Sequence, residues 1–410
     1  MAPATSLGFR HSEDSRCAIP RRTWLDVHGI VADCRWPVCG CASDLVRDVA
    51  LVPGETGTGQ SALSSHGHAA GRRELGSSYD GLVRPITGFC GSLLVTCDGA
   101  TQLRASAGGA DASAGKACSA DTRFQIASVS KQFTAAAVML LVDEGAIDLD
   151  DHIGRSLPSC APQWRELTLH QLLSHTSGLE HWNDIPDFAV TRPGEPNEFL
   201  ERFAKVPLRS TPSGTWHYSS PGYLLAARVV EAVSGAAYAD ILTERILGPV
   251  GMTATLVGRT PPEPVAWGYR DGKRVDVAQF AAIPGTGDVW STVGDLARYT
   301  EAFEAGELLS TGSRQELVGR QVEFRNPPDP NDPAPAHAYG YGYFLGTVCG
   351  HRARFHPGDN PGYQSFLGYL PDLRATVAIL CNDEETDLDD LLRELAPELA
   401  RIEIDLEAQS

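Results

Sequence analysis

Residues 124–144 read FQIASVSKQFTAAAVMLLVDE. From Ala135 to Val142 every residue is apolar, and the one charge ahead of the closing Asp143-Glu144 is Lys131. That text predicts a buried helix opened by Ser128-Val129-Ser130-Lys131. A spacing of three places Ser128 and Lys131 on one face, one turn apart. The positive potential of a helix N-terminus favours an alkoxide and a neutral amine. Burial lowers a lysine pKa because desolvation penalises the ammonium. Such a lysine takes a proton from serine and so turns a weak hydroxyl into a nucleophile. Cation usage sharpens the reading. Lys116, Lys131, Lys205 and Lys273 are the only lysines among 34 Lys and Arg residues, and arginine cannot act as a base. Taken alone, the motif also fits a capping serine beside a snorkelling surface lysine. A second copy, Ser113 to Lys116, lies in an Ala/Gly-rich segment with no apolar helix behind it and reads as chance.

Upstream, GFCGSLLVTCDG (88–99) reads as a strand ending in an Asp98-Gly99 turn, with TQLRASAGG as its hairpin partner. Downstream, helical patterns run through TLHQLLSH (168–175), NEFLERFAKV (197–206), GYLLAARVVEAVSG (222–235) and AYADILTERIL (237–247). STVGDLARYTEAFEAG (291–306) reads as a helix capped by Ser291 or Thr292. From Tyr339 the text becomes strand-like: YGYGYFLG, HRARFHPG, YQSFLGYLP and ATVAILCN. An amphipathic helix from Asp387 to Ile404 closes the chain. Strands, many helices, then strands and a helix predict an α+β domain over 79–410. Its sheet draws on about 85–122 and 339–410, and a helical part of about 123–338 is inserted between them. Residues 1–78, with Cys17, Cys34, Cys39, Cys41 and a Gly/Ser/His-rich stretch, read as a loosely ordered extension.

The 410 residues carry a formal charge of −18 and no strongly apolar stretch of the ~20 residues a membrane span requires. An acidic balance argues against nucleic acid or an anionic membrane as a partner. The first 30 residues scatter charges and lack an apolar signal core, so a cytoplasmic protein with mostly free thiols is expected. Gly54 to Ser61, GETGTGQS, follows a P-loop except that Gln60 stands where the phosphate-binding lysine belongs, and reads as a glycine-rich linker. Cys34, Cys39 and Cys41 with His28 lack zinc-site spacing. Neither metal nor cofactor is expected. Trp164, Trp182, Trp216 and Trp290 are assigned to core packing by default.

Three further stretches, TWHYSSPGYLL (215–225), RARFHPGDNPGYQSF (352–366) and LLSHTSGL (172–179), join the Ser128 motif in order. Together they resemble the serine β-lactamase and penicillin-binding protein superfamily. The similar branch holds class C β-lactamases, D-aminopeptidases, DD-carboxypeptidases and esterases of the same fold. The resemblance spans residues 88–400. It implies a transpeptidase-like fold, an antiparallel sheet flanked by helices with an inserted helical domain. It also implies Ser128 as nucleophile, Lys131 as its base and Tyr218 as the proton shuttle to the leaving group. His356-Pro357-Gly358 matches the third motif, which places His356 and Gly358 against the substrate. The backbone N–H groups of Ser128 and Asp359 match the oxyanion hole. His175 and Ser177 of LLSHTSGL are expected to position a loop.

Two departures bear on the substrate. The family's Tyr-x-Asn is Tyr218-Ser219-Ser220 here, and Ser220 offers one short hydroxyl where Asn offers a donor and an acceptor. His356 replaces the cationic lysine of Lys-Thr-Gly. Both weaken the case for β-lactams and peptide amides. The expectation is therefore an acyl-serine enzyme that hydrolyses a small-molecule carboxylic ester. The alternatives are an amide hydrolase for a D-amino-acid peptide or β-lactam, an acyltransferase, or a non-catalytic ligand-binding member of the fold.

Overall fold

The computed structural model describes residues 78–80 and 88–409, apart from 187, 189–195, 259–262, 276–282 and 325–327. The readings of Cys34, Cys39, Cys41 and His28, of Gly54 to Ser61 and of the extension up to residue 77 lie outside the described residues.

The framework is a nine-stranded sheet. Its strands are β1 (Ser78–Asp80), β2 (Gly91–Cys97), β3 (Ala100–Ala107), β4 (Val322–Glu323), β5 (Ala336–Tyr339), β6 (Phe344–Val348), β7 (His351–Asn360), β8 (Tyr363–Leu370) and β9 (Ala375–Cys381). Their spatial order is β1-β3-β2-β9-β8-β7-β6-β5-β4. Every pairing is antiparallel, as in Leu367 with Ala378 and Ala378 with Leu94. The two ends of the chain meet where β9 pairs with β2. β2 and β9 are buried at all seven positions each, which is why both are apolar without alternation: central strands are covered on both faces.

The helices divide between those faces. α1 (Ser130–Asp143), α2 (Leu169–Leu173), α3 (Pro196–Phe203), α4 (Ser220–Ser234), α5 (Tyr238–Leu242), α6 (Val293–Ala305) and α7 (Thr311–Leu317) belong to the inserted part, and α8 (Leu388–Glu407) is C-terminal. One core joins α1, α4 and α6 to Leu94, Leu367, Ala378 and Leu380 of the sheet. The other places Leu391, Leu392, Leu395, Leu399 and Ile402 of α8 on Leu93, Val95, Val377 and Ile379. Caps fall where the sequence puts them: Thr292 accepts from the Asp295 N–H, and Asp387 from the Asp390 N–H. At α2, Thr168 and Gln171 form a reciprocal capping box.

Three features differ from the expectation. Residues 124–129 are not α-helix: Phe124–Gln125 is a short strand, Ala127–Val129 a 3₁₀ turn, and α1 starts at Ser130. Phe124–Gln125 pairs instead with Val289–Ser291, which also pairs with Leu256–Val257, so the inserted part carries its own three-stranded sheet. Strands β4 and β5, from within the part read as helical, extend the main sheet; they are too short to show periodicity. No helix among the described residues is long and apolar enough to cross a membrane.

Leu395 is fully buried between α8 and the sheet. Leu395→Ala should cost about 2–5 kcal/mol of stability, read as a lower urea midpoint with an unchanged m-value.

Candidate active site

A tight crossing of chain segments holds Ser128. Ala127, just before it, has a positive φ of 47°, a sparsely populated conformation for a non-glycine residue that recurs where strain serves a function. The turn is pinned from three sides. The Ser365 hydroxyl of β8 donates to the Ile126 carbonyl at 2.7 Å. Asn360 at the end of β7 donates to Gln125 Oε1 at 2.9 Å and to the Gly287 carbonyl at 3.1 Å. The Val289 N–H donates to Ser130 Oγ at 3.3 Å. Gly358 allows β7 to approach: a Cβ there would stand 2.3 Å from Ser365 Oγ and 2.7 Å from the Ile126 carbonyl.

Beneath Ser128 lies Lys131, fully buried on the first turn of α1. Its Nζ donates to Ser128 Oγ at 3.0 Å and to the Thr286 carbonyl at 3.0 Å. Burial pushes its pKa down to about 7, with the Asp288 charge opposing the shift. The amine also stands 5.0 Å from the centre of the Tyr218 ring. Burial raises the Tyr218 phenol pKa, with the neighbouring Ser128 and Ser220 hydroxyls opposing the shift, and the proton stays on oxygen at neutral pH.

The turn that carries Tyr218 is held by histidines. Ser219 N–H donates to His175 Nδ1 at 3.1 Å, and Ser220 N–H to His181 Nδ1 at 3.3 Å. Burial first, and then the neighbouring Lys131 charge, hold both imidazoles below the ordinary histidine range. Neutral rings with Nδ1 as acceptor fit those bonds. LLSHTSGL thus has the positioning role expected of it through His175; the second positioning histidine, His181, lies just past the motif and no spacing announces it. His356 is buried on β7, its Nε2 3.1 Å from the Tyr339 hydroxyl, and burial together with Lys131 pushes it down to about 3. It is an uncharged wall residue.

Ser128, Tyr218, Ser220, His356, Gly358 and Asp359 line one cavity of about 350 Å³, with Lys131 under its floor. The catalytic and substrate-binding candidates read from the sequence thus lie side by side. The structure adds His181, Trp182, Thr286, Phe344, Arg270 and Glu384. Trp182, read as core, is also a cavity wall; Trp164 and Trp290 are core, as expected. Arg270 is tied to Glu384 by two hydrogen bonds, at 2.5 and 2.8 Å. Among the described residues one group of side chains offers metal-ligand atoms in reach of one another, Glu180, Asp184 and His217. Glu180 also meets Arg209 at 3.0 Å, and His217 Nε2 lies 2.9 Å from Glu180 and 3.3 Å from Asp184.

A serine hydroxyl, a buried amine and a tyrosine around one cavity, below an antiparallel sheet, define a serine hydrolase. Comparisons with known proteins identify which kind. Residues 80–400 match the family model described as Beta-lactamase, and the chain belongs to that family. It is 30% identical over 281 residues to esterase EstB of Burkholderia gladioli, covering 57% of this chain and 71% of that one. To penicillin-binding protein 4* of Bacillus subtilis (strain 168) it is 28% identical over 336 residues, 72% of this chain and 69% of that one. The D-amino acid amidase of Ochrobactrum anthropi SV3, solved with L-phenylalanine, superposes with a TM-score of 0.67 at 26% identity, over 79% of this chain and 95% of that one.

Gly358→Ala should push β7 off the serine turn. Labelling of Ser128 by a fluorophosphonate, followed by intact-protein mass, should slow about 100-fold, the scale of losing one oxyanion donor.

Proposed function

We propose that this enzyme hydrolyses a small, uncharged carboxylic ester through an acyl-enzyme on Ser128. The observation that carries the reading is the fully buried Lys131 amine, 3.0 Å from the Ser128 hydroxyl and held near neutrality. Neutral Lys131 takes the Ser128 proton as Oγ attacks the ester carbonyl. The Ser128 and Asp359 N–H groups hold the oxyanion. Tyr218 gives its proton to the departing alkoxide and regains one from Lys131. Water then attacks the acyl-enzyme by the same route in reverse, releasing the acid and restoring Ser128. No cofactor enters any of these steps.

Wall charge favours the ester over a β-lactam or peptide. Such substrates bring a carboxylate. The guanidinium lining the cavity, Arg270, is already paired with Glu384, and His356 is uncharged. Ser220 lacks the amide with which the family's Asn would grip an acylamide. An alcohol also leaves with less proton assistance than an amine. The likeness to a D-amino acid amidase supports amide hydrolysis as the second reading, since one acyl-enzyme serves both, and acyl transfer too. We place the reaction in the cytoplasm, with Cys97, Cys118 and Cys381 as buried thiols in support, and take the partner to be the small-molecule substrate alone.

Intact-protein mass after brief exposure to a p-nitrophenyl ester, a penicillin and a fluorophosphonate tests this directly. Wild type should gain acyl and phosphonyl adducts, with ester turnover exceeding penicillin turnover. Ser128→Ala should gain none and lose about 1,000-fold or more in kcat. A folded wild type that takes no adduct would make the chain a binding protein.

Lys131→Arg should be almost as damaging, because guanidinium stays charged. In wild type, kcat/KM for the ester should rise with pH through a limb near pH 7, as the Lys131 ammonium loses its proton. A flat profile from acid to alkaline pH would remove the lysine from the base role.

A further inference from the structure

Behind the lysine runs a loop, Gly285 to Asp288, that no motif of the family resemblance covers. Each of its residues faces inward. The Thr134 hydroxyl of α1 donates to the Gly285 carbonyl at 2.9 Å and accepts from the Tyr238 hydroxyl at 2.7 Å. The Thr286 carbonyl accepts from Lys131 Nζ at 3.0 Å. The Gly287 carbonyl accepts from Asn360, which also pins the serine turn. Asp288 closes the loop: its Oδ1 accepts from the Gly285 N–H at 3.0 Å. Its carboxylate is 1% exposed, and its other oxygen, Oδ2, is buried without a hydrogen-bond partner. A half-satisfied carboxylate in a protein interior is costly, and nothing in the ester chemistry uses it.

We infer that Asp288 is a positioning residue for Lys131: it closes the loop that aims the Thr286 carbonyl at the amine, and its buried carboxylate sets the pH at which that amine becomes a base. The inference rests on Lys131 being the base, as proposed above. Both groups are buried, and the four-residue loop that Asp288 closes is the one whose Thr286 carbonyl meets the amine. Burial pushes the Asp288 carboxyl up to about 7 and the Lys131 amine down to about 7. Each charge favours the other, so Asp288 holds the lysine higher than burial alone would leave it.

The other groups around the pair are accounted for. Glu231 on α4 adds negative charge near Asp288, and Tyr238 on α5 stands beside it as a neutral phenol. Around Lys131 stand the Tyr218 and Tyr223 rings and the neutral His175, His181 and His356. Among these neighbours only Asp288 and Glu231 are acids, and Glu231 is engaged with Arg228 and the Tyr238 N–H.

The test is the pH profile of Asp288→Asn. Asn keeps an oxygen for the Gly285 N–H and removes the charge. Without that charge Lys131 loses its proton more readily, so the acid limb of kcat/KM for p-nitrophenyl acetate should move about one pH unit lower. A lower plateau with the limb unmoved would mean a purely structural loop residue and overturn the proposal, as would no change at all. Where Asn does not fold, Asp288→Ser serves the same comparison with a smaller acceptor. Fluorophosphonate labelling of wild type and Lys131→Ala separates the two levels. If wild type labels and Lys131→Ala does not, the lysine is the base and the Asp288→Asn limb decides. If labelling does not depend on Lys131, the base assignment and the Asp288 proposal fall together.

Discussion

An ammonium taken out of water is the constraint around which this molecule is arranged. Lys131 has no exposed surface, and its direct partners are a hydroxyl and a carbonyl, not a carboxylate. Neither partner compensates a full charge, so desolvation decides the outcome and the amine lies near neutrality. The three histidines nearest the site are held neutral in turn, partly by the lysine itself. Of the 34 lysine and arginine side chains in the sequence, Lys131 thus combines full burial with a serine hydroxyl at 3.0 Å.

That arrangement demands rigidity from elements far apart in sequence. β7, β8, the 285–288 loop and the turn at Ala127 converge on Ser128, each held by at least one buried hydrogen bond. The positive φ at Ala127 costs about 1–3 kcal/mol and persists because those bonds over-determine it. The large sheet supplies the rigidity. β7 and β8 pair over seven registered positions, from Arg354 with Tyr369 to Asn360 with Tyr363. The strand end beside the serine is therefore carried by a long ladder.

What the sequence made legible follows the range of the interactions involved. Local physics was readable: the Asp98-Gly99 hairpin, the Thr292 cap, the apolar strands β2 and β9, and the i, i+3 pairing of Ser128 with Lys131. The site residues Tyr218, Ser220, His356, Gly358 and Asp359 were reached through motif order, which carries spatial information that composition does not. α1 starts later than the sequence pattern suggests because Phe124-Gln125-Ile126 is apolar enough to continue a helix. Its strand partner, Val289–Ser291, lies more than 160 residues on, and no local pattern shows it. His181 and Thr286 carry no local signal for the same reason: each meets a residue of another segment through a single long-range hydrogen bond.

The substitution of His356 for a cation and the pairing of Arg270 with Glu384 act in the same direction. A cavity that gathers substrate carboxylates needs an uncompensated positive charge on its wall. Here the guanidinium is paired with Glu384, the imidazole stays uncharged at neutral pH, and Asp359 lines the same cavity near Arg270, its carboxyl pushed up to about 6 by burial and the Glu384 charge. A third group, Lys131, is discharged by burial. The walls therefore present hydroxyls, rings and one surplus negative charge. Of the two departures from the family pattern, His356 removes a charge and Ser220 removes an amide, while the Ser128–Lys131–Tyr218 set is left whole.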